Sequence, residues 1–172
     1  FYVSKAALMR HGAKEEIADH VADAVANSEN VGNRICGLYC LESYWQKLDT
    51  GRVNGAFEPE VFKPKEATSC VDAGFGFAQP AFAKGLPGVA TLGATFGVST
   101  LSAGHAHTST SLGYFTQHIA RAGVIGMGFT NATSIIVGPG GKTRTIGTNP
   151  IAFSVPDGEG GIRCNSINQP LR

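Results

Sequence analysis

The run Gly140-Gly141-Lys142-Thr143-Arg144-Thr145-Ile146-Gly147-Thr148-Asn149-Pro150-Ile151-Ala152-Phe153 decides how this chain is read. It is polar and Gly-rich, then ends in a Gly-Thr-Asn-Pro turn that feeds an apolar strand. Upstream lies a second unusual stretch, Gly104-His105-Ala106-His107-Thr108-Ser109-Thr110-Ser111-Leu112-Gly113-Tyr114-Phe115. Together they place imidazoles, hydroxyls, a carboxamide and flexible backbone in a region with little other polar chemistry. That combination points to a small-molecule site rather than a polymer-binding surface.

Composition supports this. The chain has 172 residues, 42% apolar and only 16% charged, with 23 glycines. A core of ordinary size is expected, and global disorder is not. The 14 Lys and Arg against 13 Asp and Glu leave a net charge of +1, without the basic face that phosphate backbones require. No window approaches the ~20 apolar residues of a membrane span. Phe1 to Arg10 carries Lys5 and Arg10 without the apolar centre of a signal peptide. Cys36, Cys40, Cys70 and Cys164 form no C-x-x-C spacing, so reduced thiols in a cytoplasmic chain are expected.

Hydrophobic spacing predicts three helices first. One starts near Val3, with Ser4 as N-cap, and runs to His11-Gly12. A second covers Lys14 to Asn27, with Ile17, Ala18, Val21, Ala24 and Val25 on one face. A third covers Cys36 to Asp49. The pattern then alternates: strand Thr68 to Asp72, helix Pro80 to Phe96, strand Val98 to Leu101, helix Ser111 to Ala122, then strands over Val124 to Thr130, Ile135 to Val137 and Ile151 to Val155. The expected fold is α/β: a helical N-terminal module over residues 1–66, then part of a mixed-sheet α/β domain over 67–172, joined near residues 55–67.

Chemistry concentrates in a few places. If His105 and His107 sit in a strand, they face the same side. Two imidazoles there could act as acid and base or hold a metal, but no Cys or carboxylate is near in sequence, so no metal is assigned. A helix N-terminus after His107 would offer backbone N–H groups to an anionic substrate. Phe129-Thr130-Asn131-Ala132-Thr133-Ser134 falls where a strand should end, a common place for cofactor contacts and also for an ordinary polar turn. Gly74-x-Gly76 is not G-x-G-x-x-G, because position 79 is Gln, and it carries little weight for phosphate binding. Cys36 and Cys40, four apart on the third helix, read as two buried small hydrophobes or as a redox pair.

These residues resemble the malate/L-lactate dehydrogenase family of the second type, a NAD(P)-dependent group distinct from the Rossmann dehydrogenases. Thr130-Asn131, Gly140-Gly141, Gly147 to Phe153, Pro156-Asp157-Gly158, Gly113-Tyr114-Phe115 and Ala120-Arg121-Ala122-Gly123 carry the resemblance. Tyr44, Leu48, Gly51 and Gly55 extend it into the helical module. Gly76-Phe77-Ala78-Gln79-Pro80-Ala81 is most similar to the piperideine/pyrroline-carboxylate reductase branch, while His107 aligns with the diketogulonate reductase branch. The resemblance implies hydride transfer between NAD or NADP and a small 2-hydroxy/2-oxo acid or cyclic 2-imino acid. It implies a family homodimer, and neither nucleic-acid nor membrane partners. His107 would be the catalytic acid/base. Thr130, Asn131, Ala132, Gly147 and Thr148 would bind cofactor, and Thr148 and Asn149 substrate.

The chain departs from that pattern. The family's catalytic histidine, in Ser-His-Gly, is replaced in Ile35-Cys36-Gly37, and the arginine expected at the substrate carboxylate is Cys40. A thiol is a poor hydrogen-bond donor and cannot clamp a carboxylate with two bonds. A one-residue shift would put Thr108 in the place of His107. Family members are also longer, and Ile162 to Arg172 no longer follows the pattern. The alternative is therefore a truncated, catalytically impaired paralogue.

Overall fold

The computed structural model describes residues 1–107 and 110–167, with the side chains of residues 166 and 167 outside the description. Helices lead, as the spacing predicts: α1 (Tyr2–Arg10), α2 (Glu15–Asn30) and α3 (Leu38–Asp49). Ile17, Ala18, Val21, Ala24 and Val25 of α2 are all buried, and Glu15 and Glu16 sit in its first turn, where negative charge suits the helix dipole. Ser4 is not the cap of α1. The helix already starts at Tyr2, Lys5 N–H donates to the Phe1 carbonyl at 3.0 Å, and Ser4 is a buried interior residue.

Cys36 is likewise not part of α3. It closes a short 3-10 turn, Arg34–Cys36, and Gly37 breaks the path into the helix with ψ −136°. No residue of α3 itself caps its N-terminus. Glu29 of α2 does so, its carboxylate accepting Leu38 N–H at 2.7 Å, and a Cβ at Gly37 would overlap that carboxylate.

Three strands follow in the order β1-β2-β3: β1 (Glu60–Lys65), β2 (Thr68–Asp72) and β3 (Thr100–Gly104). β1 runs antiparallel to β2, and β2 parallel to β3 with α4 (Ala78–Phe96) as the crossover. β1 lies in the stretch expected to be a connection. All six of its residues are exposed and it carries Pro64, both allowed on an edge strand. α4 contains Pro87, whose carbonyl accepts the Thr91 hydroxyl at 3.0 Å. At Gly85 of α4 a Cβ would meet Leu101 and Val71, so glycine lets the helix lie close on the sheet.

The last layer is α5 (Leu112–Arg121) on a second, antiparallel sheet of β4 (Gly126–Phe129), β7 (Ile151–Pro156) and β8 (Ile162–Ile167), in the order β4-β7-β8. Between β4 and β7 a small hairpin pairs β5 (Ile136–Val137) with β6 (Arg144–Ile146). β6 and β8 fall in segments read as loop and as tail. The inner face of β4 and β7 is small, with Gly126, Gly128, Ala152 and Ser154, and α5 packs there through a 2.7 Å Thr116–Ser154 hydroxyl bond. Met127, Phe129, Ile151 and Phe153 alternate onto the outer face and are exposed.

α2 joins the layers. Its Val21 and Val25 pack with Leu41, Tyr44 and Phe77, while its Ala24 packs with Phe82, Leu112, Phe115 and Ala152. No helix among the described residues is long and apolar enough to cross a membrane.

Candidate active site

The site is built where α3 crosses the turn after β2. β2 ends at Asp72, whose carboxylate accepts Gly74 N–H at 2.8 Å and turns the chain. Gly76 N–H donates to the Ala73 carbonyl at 2.7 Å, and a Cβ at Gly76 would press on that carbonyl and on that of Asn54. Gly74-x-Gly76 is thus a packing turn that lets the 54–57 loop lie against the strand end.

Phe77 follows, 1% exposed, and its backbone pairs with His107 in an isolated parallel bridge. His107 N–H donates to Gly76 O at 2.7 Å, and Ala78 N–H donates to His107 O at 3.1 Å. The His107 ring meets Phe77 edge-on at 6.3 Å, and Tyr44 of α3 meets Phe77 from elsewhere at 5.8 Å. Tyr44 itself is 1% exposed.

His105 and His107 do not share a face. β3 ends at Gly104, and His105 has a φ of +47°, so the strand alternation on which the pairing rested is lost before His105. His105 instead lies over Phe75 at 4.9 Å with Nδ1 3.1 Å from the Asp72 carboxylate. The Gly74 amide and then the His105 imidazole hold the Asp72 carboxyl below its usual range. Among the described residues no group of three or more His, Cys, Asp or Glu side chains is arranged to hold a metal. Thr108 lies outside the described residues.

His107 is half-buried, and its Nε2 is buried without a hydrogen-bond partner among the described residues. Burial first, and the Lys47 charge second, lower its pKa to about 4. It is therefore a neutral imidazole at pH 7. The Tyr44 hydroxyl is also buried and makes no well-directed hydrogen bond. Burial, then the Cys40 and Cys36 thiols beside it, raise its pKa. Burial likewise raises that of Cys36, with Cys40 adding to it. The Cys40 thiol donates to the Ile35 carbonyl at 2.6 Å, which commits its proton.

Cys36 and Cys40 thus lie beside Tyr44, Tyr44 packs on the Phe77 ring that His107 also meets, and the Lys47 charge acts on His107. Position 40 to position 44 is one helical turn, and Lys47 lies three further on. That Tyr44 and Lys47 lie near His107 was not read from sequence.

The other expected site residues gather elsewhere, at the ends of β4 and β7. Asn149, at φ +40°, accepts Ala132 N–H on Oδ1 at 2.9 Å, so its carboxamide ties the 130–135 loop to the turn before β7. Thr130 N–H reaches Pro150 O at 3.4 Å, and a Cβ at Gly147 would overlap the Ala132 carbonyl. Thr130, Asn131, Ala132, Gly147, Thr148 and Asn149 therefore stand together. Asn131 is exposed, and Thr130 and Thr148 are half-buried. His107 lies beyond the end of β3, its backbone bridged to Phe77.

The malate/L-lactate dehydrogenase family pattern matches residues 2–163. The chain belongs to that family. Its relatives include the delta(1)-pyrroline-2-carboxylate/delta(1)-piperideine-2-carboxylate reductase of Pseudomonas putida, 29% identical over 155 residues, covering 90% of this chain and 46% of the relative. The (2R)-3-sulfolactate dehydrogenase (NADP(+)) of Chromohalobacter salexigens is 32% identical over 88% of this chain and 45% of its own length. The crystal structure of delta1-piperideine-2-carboxylate reductase from Pseudomonas syringae pv. tomato superposes with a TM-score of 0.89 at 28% identity, covering 95% of this chain and 49% of that one. Malate dehydrogenase from Pyrococcus horikoshii, at 24% identity and a TM-score of 0.87, shares the fold. This dehydrogenase-family chain spans about half the length of the relatives it matches.

Proposed function

We propose that the protein is an oxidoreductase that moves a hydride between NAD or NADP and a small 2-hydroxy/2-oxo acid or cyclic 2-imino acid. The observation that carries this reading is His107, a neutral imidazole whose buried Nε2 has no hydrogen-bond partner among the described residues, in a chain that matches a dehydrogenase family over residues 2–163. Such a nitrogen is fitted to exchange a proton with a substrate oxygen or nitrogen.

A nicotinamide cofactor fits the groups at the ends of β4 and β7. The Asn131 side chain is exposed, Thr130 and Thr148 are half-buried hydroxyl residues, the Thr130 hydroxyl donating to the Asn131 carbonyl at 3.3 Å, and Gly147 lets the two loops approach closely. When bound, the cofactor supplies the hydride. Asn131, Ala132, Thr130, Gly147 and Thr148 would hold it, with Thr148 and Asn149 toward substrate, and the Asn149 bond to Ala132 would keep the two loops in register. His107 would take the proton from a hydroxy acid during oxidation, and would have to be protonated first to supply one during reduction. A homodimer is proposed by analogy with the family.

Titrating the chain with NADH and NADPH and following nicotinamide fluorescence tests the reading. Saturable binding of either supports it. Absence of binding in a chain that circular dichroism shows to be folded refutes it, and favours the impaired paralogue suggested by Cys36 and Cys40.

A further inference from the structure

We propose that Cys36 and Cys40 are a dithiol modification site at the head of α3, which a low-molecular-weight disulfide such as oxidised glutathione closes into an intramolecular disulfide. The site stands apart from the function proposed above. It occupies the two positions where this chain carries thiols in place of an expected histidine and arginine.

Cys36 ends the 3-10 turn, and Cys40 lies in the first turn of α3. Gly37 joins the two: its N–H donates to Arg34 O at 3.1 Å, and its carbonyl accepts Cys40 N–H at 3.1 Å. Both are three-residue returns, so Gly37 is the joint between two tight turns. The Glu29 carboxylate, bonded to Leu38 N–H at 2.7 Å, fills the space beside Gly37 and holds the joint in this shape. Cys40 Sγ reaches back to the Ile35 carbonyl at 2.6 Å. That oxygen belongs to the peptide group whose nitrogen is that of Cys36, so the Cys40 sulfur already lies against the Cys36 backbone. The remaining move is of side chains: Cys40 Sγ leaves Ile35 O for Cys36 Sγ, to a bond of about 2.05 Å. The bond would fasten the head of the helix whose Tyr44 packs on Phe77, the ring that His107 also meets.

Both thiols are half-buried and are bordered by the exposed Ile35, Leu38 and Tyr39, so a small disulfide can reach them. Cys70 lies in β2 and Cys164 in β8, in separate sheets, so neither shares a turn with another thiol. Closure takes two exchanges. One cysteine thiolate attacks the small disulfide, forms a mixed disulfide and expels one thiolate. The other cysteine then attacks the protein sulfur of that bond and expels the second. The two cysteines give up two electrons and two protons, and the small disulfide takes them up as two thiols. Burial raises the Cys36 pKa, and Ile35 O holds the Cys40 proton, so closure is slow near neutral pH and quickens as pH rises.

The test uses the whole chain with Cys70→Ser and Cys164→Ser, which leaves the pair alone, in glutathione buffers of stepped oxidised-to-reduced ratio. A pH of about 8.5, where an ordinary thiol is half ionised, brings the reaction to equilibrium. Alkylation followed by intact-mass measurement counts free thiols and bound glutathione. The oxidised chain should be lighter by two hydrogen atoms and carry no glutathione. Adding Cys36→Ser or Cys40→Ser should stop the reaction at one bound glutathione per chain. The equilibrium constant for closure should be at least tenfold larger in the folded chain than in the same chain unfolded in urea, because the fold already holds the two residues together. Equal constants overturn the proposal. So does a folded chain that keeps both thiols free, or that keeps a bound glutathione which its second cysteine does not expel.

Discussion

The surroundings of His107 and those of Asn149 are both candidate halves of one site, yet they are built differently. His107 meets Phe77, which packs on Tyr44, and both are among the most buried aromatic side chains, in a core shared with α2. The Asn149 region is half-buried to exposed and is tied together by a carboxamide bond and close backbone contact. The outer face of its sheet presents Met127, Phe129, Ile151 and Phe153 to solvent. The first half is positioned by packing, which tolerates little volume change. The second is positioned by local polar geometry, which can be altered without unfolding the chain.

Phe77→Ala breaks the comparison most severely. It removes the ring between Tyr44 and His107 and leaves a cavity at a fully buried position, at a cost of roughly 3–5 kcal/mol. Urea unfolding followed by circular dichroism should show that loss. If the cost is under about 1 kcal/mol, packing does not position His107 and the contrast fails.

Gly147→Ala tests the other half. Its Cβ would overlap the Ala132 carbonyl, so the two loops must part, at roughly 1–3 kcal/mol for an overpacked contact. The expected signature is unequal: a modest drop in unfolding free energy, and a loss of nicotinamide binding of at least tenfold. Unchanged nicotinamide affinity would remove this loop pair from the cofactor site.

Acidification sharpens the contrast, because it acts on the His107 side. The pKa of His107 is lowered in the fold to about 4 from an ordinary 6.5. Between those values the unfolded chain binds a proton that the folded chain refuses, so stability falls as pH drops from about 6.5 toward 4. His107→Asn should flatten that part of the pH–stability curve relative to wild type. A curve of the same slope in both would mean that His107 is not held neutral. The proposed oxidation should likewise keep its base down to about pH 4 in the free enzyme, as the pH dependence of kcat/KM would show.

The sequence made some of this legible. α2 was readable because Ile17, Val21 and Val25 repeat at helical spacing on one buried face, and α5 because an apolar run stops at Gly123. β7 was readable as a mainly apolar run ending at Pro156-Asp157-Gly158, and β2 was placed over Thr68 to Asp72. β1 and β8 were not, because an edge strand with exposed side chains is held by its neighbour's backbone rather than by its own pattern. His107 stood out through its polar neighbours. Its true surroundings did not, since Phe77 precedes it by 30 positions and Tyr44 by 63, and only the crossing of α3 brings them together. The same limit misled the reading of His105, whose partner Asp72 lies 33 residues away.

The smallest expected effect belongs to Asn149→Ala, and it separates structure from chemistry in the second half of the site. The carboxamide accepts one hydrogen bond, from Ala132 N–H at the protein surface, so its removal should cost only about 1 kcal/mol. Asn149→Asp keeps an acceptor for Ala132 N–H and should restore most of that stability. If nicotinamide affinity falls in Asn149→Ala and returns in Asn149→Asp, the side chain acts by holding the 130–135 loop in place. If affinity stays low in Asn149→Asp while stability recovers, the amide itself meets the ligand, and Asn149 belongs to the binding surface as well as to its support.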